Sequence, residues 1–280
     1  VAEAAQVDRD YVRRWCDAAF ALGYLDRAGG RFQLTALGAA VRPGVPGTLM
    51  PVVVQSVVSA HMAERAAGLM RSRRRPGEGV LSERESVLPW FGPMLEANFA
   101  PLFEHTICPA IPEFDQVDVR GGLVVDLGCG NGWYLRALAR RYRRLRGIGV
   151  DGLRANVEQA ARLVQDEQLG DRLRFEQGDL LRFEPPELAD LIAMNRALHH
   201  VWESRSQDIF QFFREHLKPG GAAVIWEPNW PENPEDLRRP RLRAMAFQNL
   251  SEHAQGNHLL RADEIAGAFE RSGMIARIQL

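Results

Sequence analysis

The chain has 280 residues, of which 46% are hydrophobic and 25% charged, and its formal net charge is −1. This length can bury a substantial core and is enough for two domains. No apolar run of about eighteen residues occurs, so no membrane span is expected, and the balanced charge gives no overall attraction to nucleic acid. The three cysteines, Cys16, Cys108 and Cys129, are scattered and odd in number, which favours reduced thiols in a cytoplasmic protein.

The N-terminal residues 1–47 have the pattern of a winged helix. Two helical segments, residues 2–5 and 8–15, are followed by a two-stranded wing over residues 22–35 that turns at a pair of glycines. Asp8 suits the N-cap of the second helix. The usual function of such a domain is DNA binding, so a DNA-binding regulator is one hypothesis. Against it, the second helix mixes acidic with basic side chains, whereas a surface that contacts a duplex should be one-sidedly basic.

Residues 48–117 predict a helical connector that covers an active site. Its helices are expected over residues 49–70 and 90–104, and the Arg-, Gly- and Glu-rich segment 71–85 is expected to form an exposed loop. Prolines 109 and 112 then mark the entry to a third segment, residues 118–280.

A glycine-rich run opens the third segment. Residues 124–132 read Val-Val-Asp-Leu-Gly-Cys-Gly-Asn-Gly and precede a helical run over 133–141, so they predict a strand, a glycine turn and a helix. This arrangement lets a ligand lie against bare backbone at a helix N-terminus. A dinucleotide fingerprint would need a glycine where the chain has Trp133. Asp126 would also repel a pyrophosphate, but it suits a ligand that carries an ammonium and a sulfonium group.

The residues after this run predict a parallel sheet. Four further strands are expected, over residues 147–150, 173–176, 189–194 and 222–226, and they alternate with helical segments, among them an amphipathic helix over residues 209–217. Asp151 ends the second strand, where an acidic residue accepts hydrogen bonds from ribose hydroxyls. A Rossmann-like domain for another nucleotide is the alternative interpretation.

The glycine run and the acidic strand ends resemble the class I S-adenosylmethionine (SAM)-dependent methyltransferases. The resemblance implies an α/β fold, with a Rossmann-like methyltransferase sheet covered by helices on both faces and a mainly helical N-terminal winged-helix domain. It implies a small-molecule substrate and assigns residues 1–47 to dimerisation, so we expect a homodimer and no nucleic-acid or membrane partner. The implied SAM-binding residues are Asp126, Gly128, Gly130, Gly132, Asp151, Gly152, Asp179, Leu180 and Asn195, with Asp179 at the adenine amino group.

Histidines are the candidates for making the acceptor nucleophilic. Methyl transfer from a sulfonium is an in-line displacement, so the protein mainly has to align and desolvate the acceptor. His199 and His200 follow the fourth strand, where they are either catalytic or packing residues. His253 and His258 follow a proline-rich insertion, and His105 precedes the catalytic segment. Imidazoles from such separate segments can hold zinc or iron.

The combination of winged helix, connector and these histidines resembles the bacterial 2-oxo-acid C-methyltransferases of secondary metabolism. The resemblance implies an iron or zinc ion at His200, His253 and His105. His199 could take the place of His200, and His258 that of His253. Such an ion acts as a Lewis acid on a keto acid. The base would be His199 or a metal-bound water, and Arg196 or Arg205 would hold a substrate carboxylate or side chain. Two alternatives stay open: an O-methyltransferase of a phenolic or polyketide natural product with a histidine base and no metal, and a regulator with a ligand-sensing methyltransferase-like domain.

Overall fold

The computed structural model describes residues 1–45, 47–72, 74–75 and 87–280. The chain divides into two compact units, residues 1–57 and residues 58–280. Most of the loop predicted over residues 71–85 lies outside the described residues. Among the residues described, no helix is both long and apolar enough to cross a bilayer.

The first unit contains one helix followed by a hairpin. Helix α1 (Arg9–Ala21) begins at Asp8, whose carboxylate accepts the backbone N–H groups of residues 10 and 11 at 2.9 and 3.0 Å. Strands β1 (Leu25–Ala28) and β2 (Arg31–Leu34) pair antiparallel, and the short helix α2 (Ala36–Ala40) follows.

The helix predicted over residues 2–5 was wrong, because this segment forms turns. Gln6 takes a positive φ of 52°, which ends any helical run before the N-cap at Asp8. So short a segment also cannot offset the cost of nucleating a helix. The winged-helix assignment of residues 1–47 stays a prediction.

The helices of the connector lie where the pattern predicted them. Helix α3 spans Met50–Ser72 and α4 spans Leu88–Leu102. A π-helical turn (Phe103–Ile107) follows and leads into α5 (Cys108–Ala110) and α6 (Pro112–Arg120).

The second unit is built on a five-stranded sheet in which all neighbouring strands are parallel. Its strands are β3 (Leu123–Leu127), β4 (Arg146–Asp151), β5 (Leu173–Gln177), β6 (Ala189–Asn195) and β7 (Leu217–Trp226), in the spatial order β5-β4-β3-β6-β7. The helices are α7 (Trp133–Arg141), α8 (Arg154–Asp166), α9 (Leu198–His216), α10 (Pro240–Gln255) and α11 (Ala262–Arg271), with a 3₁₀ turn at Pro234–Arg238. This confirms the predicted α/β fold.

Alternation along the central strand explains why both faces of the sheet are covered. Val124 belongs to a core with Phe103, Phe114 and Tyr134, whereas its neighbours Leu123 and Val125 belong to the core on the other face. Successive side chains of a strand point to opposite faces, so a strand that is apolar at every position must be covered on both. Asp126 shares the face of Val124.

The chain reverses its direction of strand addition between β3 and β6. In open parallel sheets, ligands bind at such a switch point, beyond the carboxyl ends of the strands. Asp126 lies near the end of β3 and Asn195 ends β6. Helix α9 begins at Leu198 and not at the predicted residue 209, so His199 and His200 lie in its first turn, directly above this edge.

Candidate functional site

The glycine turn after β3 forms a cradle of exposed backbone. Gly128, Gly130 and Gly132 all have positive φ, between 54° and 78°. The backbone N–H of Gly128 donates to the Val150 carbonyl at 2.8 Å, which ties the turn to β4. A Cβ on Gly128 would lie 2.6 Å from that of Ala197, so the turn packs directly against the segment that leads to the two histidines.

Two alanine substitutions in this turn should have different effects. A Cβ at residue 132 would meet the Phe175 ring at 2.5 Å, whereas a Cβ at residue 130 has nothing within 4 Å. Gly132→Ala should therefore lower the free energy of unfolding by about 2–4 kcal/mol. Gly130→Ala should cost only about 1 kcal/mol, but its methyl group would occupy the cradle and weaken SAM binding at least tenfold. Urea unfolding would measure the effects on stability, and calorimetry with SAM would measure the effect on binding. If Gly130→Ala bound SAM as tightly as the unaltered protein, the assignment of the cradle to SAM would be contradicted.

The cradle contains buried oxygen atoms that accept no hydrogen bond from any described residue. Asp126 is 1% exposed, and neither of its carboxylate oxygens has a hydrogen-bond partner among the described residues. The same holds for the side-chain Oδ1 atoms of Asn131 and Asn195. Burial raises the pKa of Asp126 to about 8, and the nearby Asp151 carboxylate adds to the shift. A group of buried acceptors without donors among the described residues fits a ligand that supplies ammonium hydrogens and positive charge. The SAM-binding roles of Asp126 and Asn195 stay predictions.

The remaining predicted cofactor residues lie around the same edge. One Asp151 oxygen accepts the Gly130 backbone N–H at 2.9 Å, and the other accepts the Leu153 N–H at 2.9 Å and the Asn156 amide. Gly152 has open space on its Cβ side, and a Leu180 methyl group would lie 3.9 Å from a Cβ on Gly128. These positions fit the ribose and adenine roles implied by the resemblance, which stay predictions.

Asp179, predicted at the adenine amino group, already has a cationic partner. Both of its carboxylate oxygens accept from one Arg205 nitrogen, at 2.9 and 3.0 Å. The Leu181 backbone N–H and the Arg205 guanidinium hold the pKa of this carboxyl below its usual range. Arg205 therefore anchors Asp179 in this structure.

His199 is fixed by a glutamate from the neighbouring strand. Glu227 follows β7 directly, and its Oε2 lies 2.8 Å from His199 Nδ1. Its Oε1 accepts the backbone N–H groups of Leu198 and His199 at 2.7 and 3.3 Å, where α9 begins. Helix N-termini favour carboxylates, so one side chain both stabilises the start of α9 and orients the imidazole.

The other nitrogen of His199 is buried close to a second glutamate, Glu252. Its Nε2 has no hydrogen-bond partner among the described residues, and a Glu252 oxygen lies 3.7 Å away. Burial alone would lower the pKa of His199, but the carboxylates of Glu227 and Glu252 outweigh it and raise the pKa to about 10. Burial likewise favours the neutral form of Glu252, yet His199 keeps its pKa below the usual range. The pair of carboxylates thus makes His199 a strong base.

Arg196 lies close to Glu227 and Glu252. Its guanidinium stacks on Phe99, 4.4 Å from the ring centroid, and donates to Gln248 at 3.1 Å. Burial lowers its pKa, and the Glu227 and Glu252 carboxylates act against that shift. Its φ of 54° is in the left-handed region, a strained conformation that is frequent at functional sites. Its predicted contact with a substrate carboxylate stays a prediction.

The structure does not bring together the three histidines expected to bind a metal. His105 lies exposed on the π-helical turn, and His253 is exposed on α10, where it lines a cavity of about 260 Å³ with Ala66 and Leu69. His258, the possible substitute, lies 2.8 Å from Glu203. Side chains at consecutive helix positions point in different directions, so α10 directs Glu252, and not His253, towards the histidine pair.

A different set of metal donors does converge. Within the described ranges, one nitrogen each of His199 and His200 and one oxygen of Glu252 lie within 4.8 Å of one another. Two imidazoles and a carboxylate are donors that divalent iron or zinc accepts. Glu227 would orient His199 from behind, as second carboxylates do in metal sites.

Comparisons with known proteins identify the segment that contains the glycine cradle as a methyltransferase domain. A family model described as a methyltransferase domain matches residues 124–221. The chain is similar to the O-demethylpuromycin-O-methyltransferase of Streptomyces alboniger, with 28% identity over 254 residues, which cover 85% of this chain and 65% of that protein.

Solved structures share the fold over nearly the whole chain. An O-methyltransferase family protein from Burkholderia thailandensis gives a TM-score of 0.71 at 20% identity, covering 100% of this chain and 83% of that one. Human N-acetylserotonin methyltransferase in complex with SAM gives 0.65 at 19% identity, covering 97% and 79%. The chain is therefore a methyltransferase.

Two acidic residues of this methyltransferase site were missed in the sequence. Glu227 could have been found, because it directly follows the strand next to β6, and Asp126 and Asp151 likewise lie at or near the carboxyl ends of their strands. Glu252 gave no such signal. It lies on helix α10, and the sequence did not show which face of that helix points towards the histidine pair. In the polar segment 251–258, Glu252, Gln255 and Asn257 are buried.

Proposed function

We propose that this methyltransferase transfers the methyl group of SAM to a hydroxyl oxygen of a small natural product, with His199 as the general base. The observation that carries the proposal is the geometry of His199: Nδ1 is bonded to Glu227 at 2.8 Å, while Nε2 has no partner in the described part of the chain. This fixes the ring and leaves a basic nitrogen for the acceptor. The similarity to a puromycin O-methyltransferase supports oxygen over carbon as the acceptor atom.

The reaction needs one proton transfer and one displacement. The acceptor O–H gives its proton to His199 Nε2, and the oxygen attacks the methyl carbon. The bond from that carbon to sulfur breaks, and its electron pair stays on sulfur, so a neutral thioether leaves as the demethylated donor. The imidazolium formed is stabilised by Glu227 and Glu252, both buried. Because water is excluded there, these charges act strongly on the proton transfer.

The rate should rise with pH between 7 and 9. The pKa of His199 is about 10, so the base is mostly protonated at neutral pH, and the reactive neutral form increases about tenfold for each pH unit below that value. Glu252→Gln removes a carboxylate that stabilises the imidazolium, so its profile should move to lower pH. Measurements of kcat/KM between pH 6 and 10 for the unaltered protein and for Glu252→Gln would test both expectations. A pH-independent rate, or identical profiles for the two proteins, would contradict a histidine base.

A second candidate function rests on the three converging donors. His199, His200 and Glu252 would hold a divalent ion, and such an ion would supply Lewis-acid activation of a keto group for C-methylation of a 2-oxo acid. Reactions with SAM would be run on phenolic hydroxyl acceptors and on 2-oxo acids, with and without chelator, and the products located by mass spectrometry and NMR. O-methylation that is unaffected by chelator supports the first candidate. C-methylation that disappears with chelator and returns with iron or zinc would replace it.

We also propose that the enzyme is a cytoplasmic homodimer that pairs through residues 1–47. Tyr11 and Trp15 on α1 are 80% and 64% exposed, and such large apolar surfaces often mark contacts between proteins. Sedimentation of the full chain would determine the oligomeric state.

A further inference from the structure

Helix α4 of the connector packs directly against the glycine cradle. Gly92 on this helix comes so close to Asn131 that a Cβ at residue 92 would lie 2.8 Å from the Cβ of Asn131. One turn further along the helix, Glu96 Oε2 accepts a hydrogen bond from Asn131 Nδ2 at 3.4 Å. Asn131 stands between Gly130 and Gly132. A helix that precedes the sheet thus contacts the turn that is expected to hold the methyl donor.

Glu96 is itself held in place by a buried arginine. The same Oε2 atom accepts from Arg136 Nη2 at 2.5 Å, and the Arg136 side chain is only 2% exposed. Arg136 Nη1 also bonds to Glu167, which directly follows α8. Because a guanidinium only donates and its bonds to carboxylates are strong, one oxygen of Glu96 is fixed where it can also accept from Asn131.

This contact determines which way the Asn131 amide points. An ionised carboxylate can only accept, so the amide nitrogen, and not the oxygen, must face Glu96. Asn131 is 1% exposed, and its Oδ1 accepts no hydrogen bond from any described residue. A buried amide oxygen without a donor costs free energy. A ligand that supplies several N–H hydrogens to the cradle would remove this cost, and an ammonium group carries three.

We propose that Glu96 is a positioning residue, which orients the Asn131 amide so that its Oδ1 accepts a hydrogen bond from the ammonium group of SAM. This rests on SAM as the methyl donor, which is part of the proposed function. The amino acid half of the donor is then bound completely only while α4 lies on the cradle, whereas the adenosine half does not depend on this contact.

The contact of Asn131 with the donor is tested by calorimetry with two probes. S-adenosylhomocysteine carries the ammonium group, whereas 5′-methylthioadenosine has the same adenosine and thioether sulfur but no amino acid part. Asn131→Ala should bind S-adenosylhomocysteine about tenfold more weakly, the effect of one lost hydrogen bond to a charged group. Its affinity for 5′-methylthioadenosine should not change. Equal losses for both probes, or no loss for either, would overturn the proposal.

The positioning role of Glu96 is tested by two substitutions at this residue. Glu96→Leu releases the amide and should weaken S-adenosylhomocysteine binding several-fold. Glu96→Gln should bind it as the unaltered protein does, because Arg136 still requires an oxygen at the same place. In protein that already carries Asn131→Ala, Glu96→Leu should have no further effect, since the two residues act through one bond. Equal losses in the Leu and Gln variants, or additive losses in the double variant, would overturn the positioning role.

Two further variants separate this role from a general effect on packing. Gly92→Ala pushes α4 away from Asn131 and leaves both Arg136 ion pairs unaltered, so it gives the same test if Glu96→Leu does not fold. Glu104→Leu is the matched control, because Glu104 accepts from Arg140 and has no bond to the cradle. Unfolding midpoints would verify the fold of each variant. If the unaltered protein bound neither probe, SAM would not be its donor and the proposed function would be wrong. If it bound both and no variant changed the ratio of the two affinities, only the present proposal would be wrong.

Discussion

Replacing His199 by alanine should lower kcat about 10²- to 10⁴-fold, the range expected for removal of a general base. The affinity for SAM should stay the same, because His199 does not form part of the glycine cradle. His216→Ala is the matched control: it removes a histidine from the other end of α9, where the ring contacts the Phe212 carbonyl and Glu184. Stopped-time assays with a phenolic acceptor and calorimetry with SAM would separate the two effects.

The negative charge of Glu227, which is bonded to His199 Nδ1, should contribute to kcat. Glu227→Gln keeps an oxygen for the N–H groups at the start of α9 but removes the carboxylate that stabilises the imidazolium. We expect a smaller loss of kcat than in His199→Ala, with little change in the unfolding midpoint. An enzyme that keeps a third or more of its kcat without His199 would show that the acceptor loses its proton by another route, and the assignment of the base would then be wrong.

The fold was predictable because its signals are local. The strands of the sheet are short, and each has a polar residue at or next to its carboxyl end. The glycine turn after β3 needs positive φ at fixed positions. Asp126 and Asp151 follow from the same rule, since the carboxyl ends of parallel strands meet at one edge. The histidine pair was placed at that edge for the same reason.

The rest of the site depends on contacts between distant segments. Whether residue 252 or residue 253 faces the histidines depends on the phase of α10, and a helix advances by 3.6 residues in each turn, so an error of one position selects a different side chain. The sequence showed two histidines in this segment and gave no reason to prefer the glutamate beside one of them. His105 was misplaced similarly, because a π-helical turn changes which residues face inward.

Asp126 should make the donor-free protein lose stability as the pH rises, and Asp126→Asn should remove that loss. The folded pKa is about 8, above the ordinary 3.8, so the folded state favours the protonated form. Stability from this group is present at low pH and is lost as the pH rises towards 8. A difference of about four units corresponds to an upper bound on the order of 5 kcal/mol. The free energy of unfolding, measured with urea at pH 5.5 and 8.5, should differ less between the two pH values in Asp126→Asn than in the unaltered protein.

The same substitution should weaken donor binding. The ionised carboxylate attracts the cationic methionine part of SAM, and a charged hydrogen bond of this kind corresponds to roughly ten- to hundredfold in affinity. Binding should therefore tighten between pH 6 and 8 in the unaltered protein as Asp126 ionises, and should vary little with pH in Asp126→Asn. Asp118→Asn is the control, because residue 118 accepts the backbone N–H groups of residues 144 and 145 away from the cradle. A variant that gains stability at pH 8.5 while binding SAM as tightly as before would mean that Asp126 stays protonated in the complex, and the cradle would then hold the donor through its backbone alone.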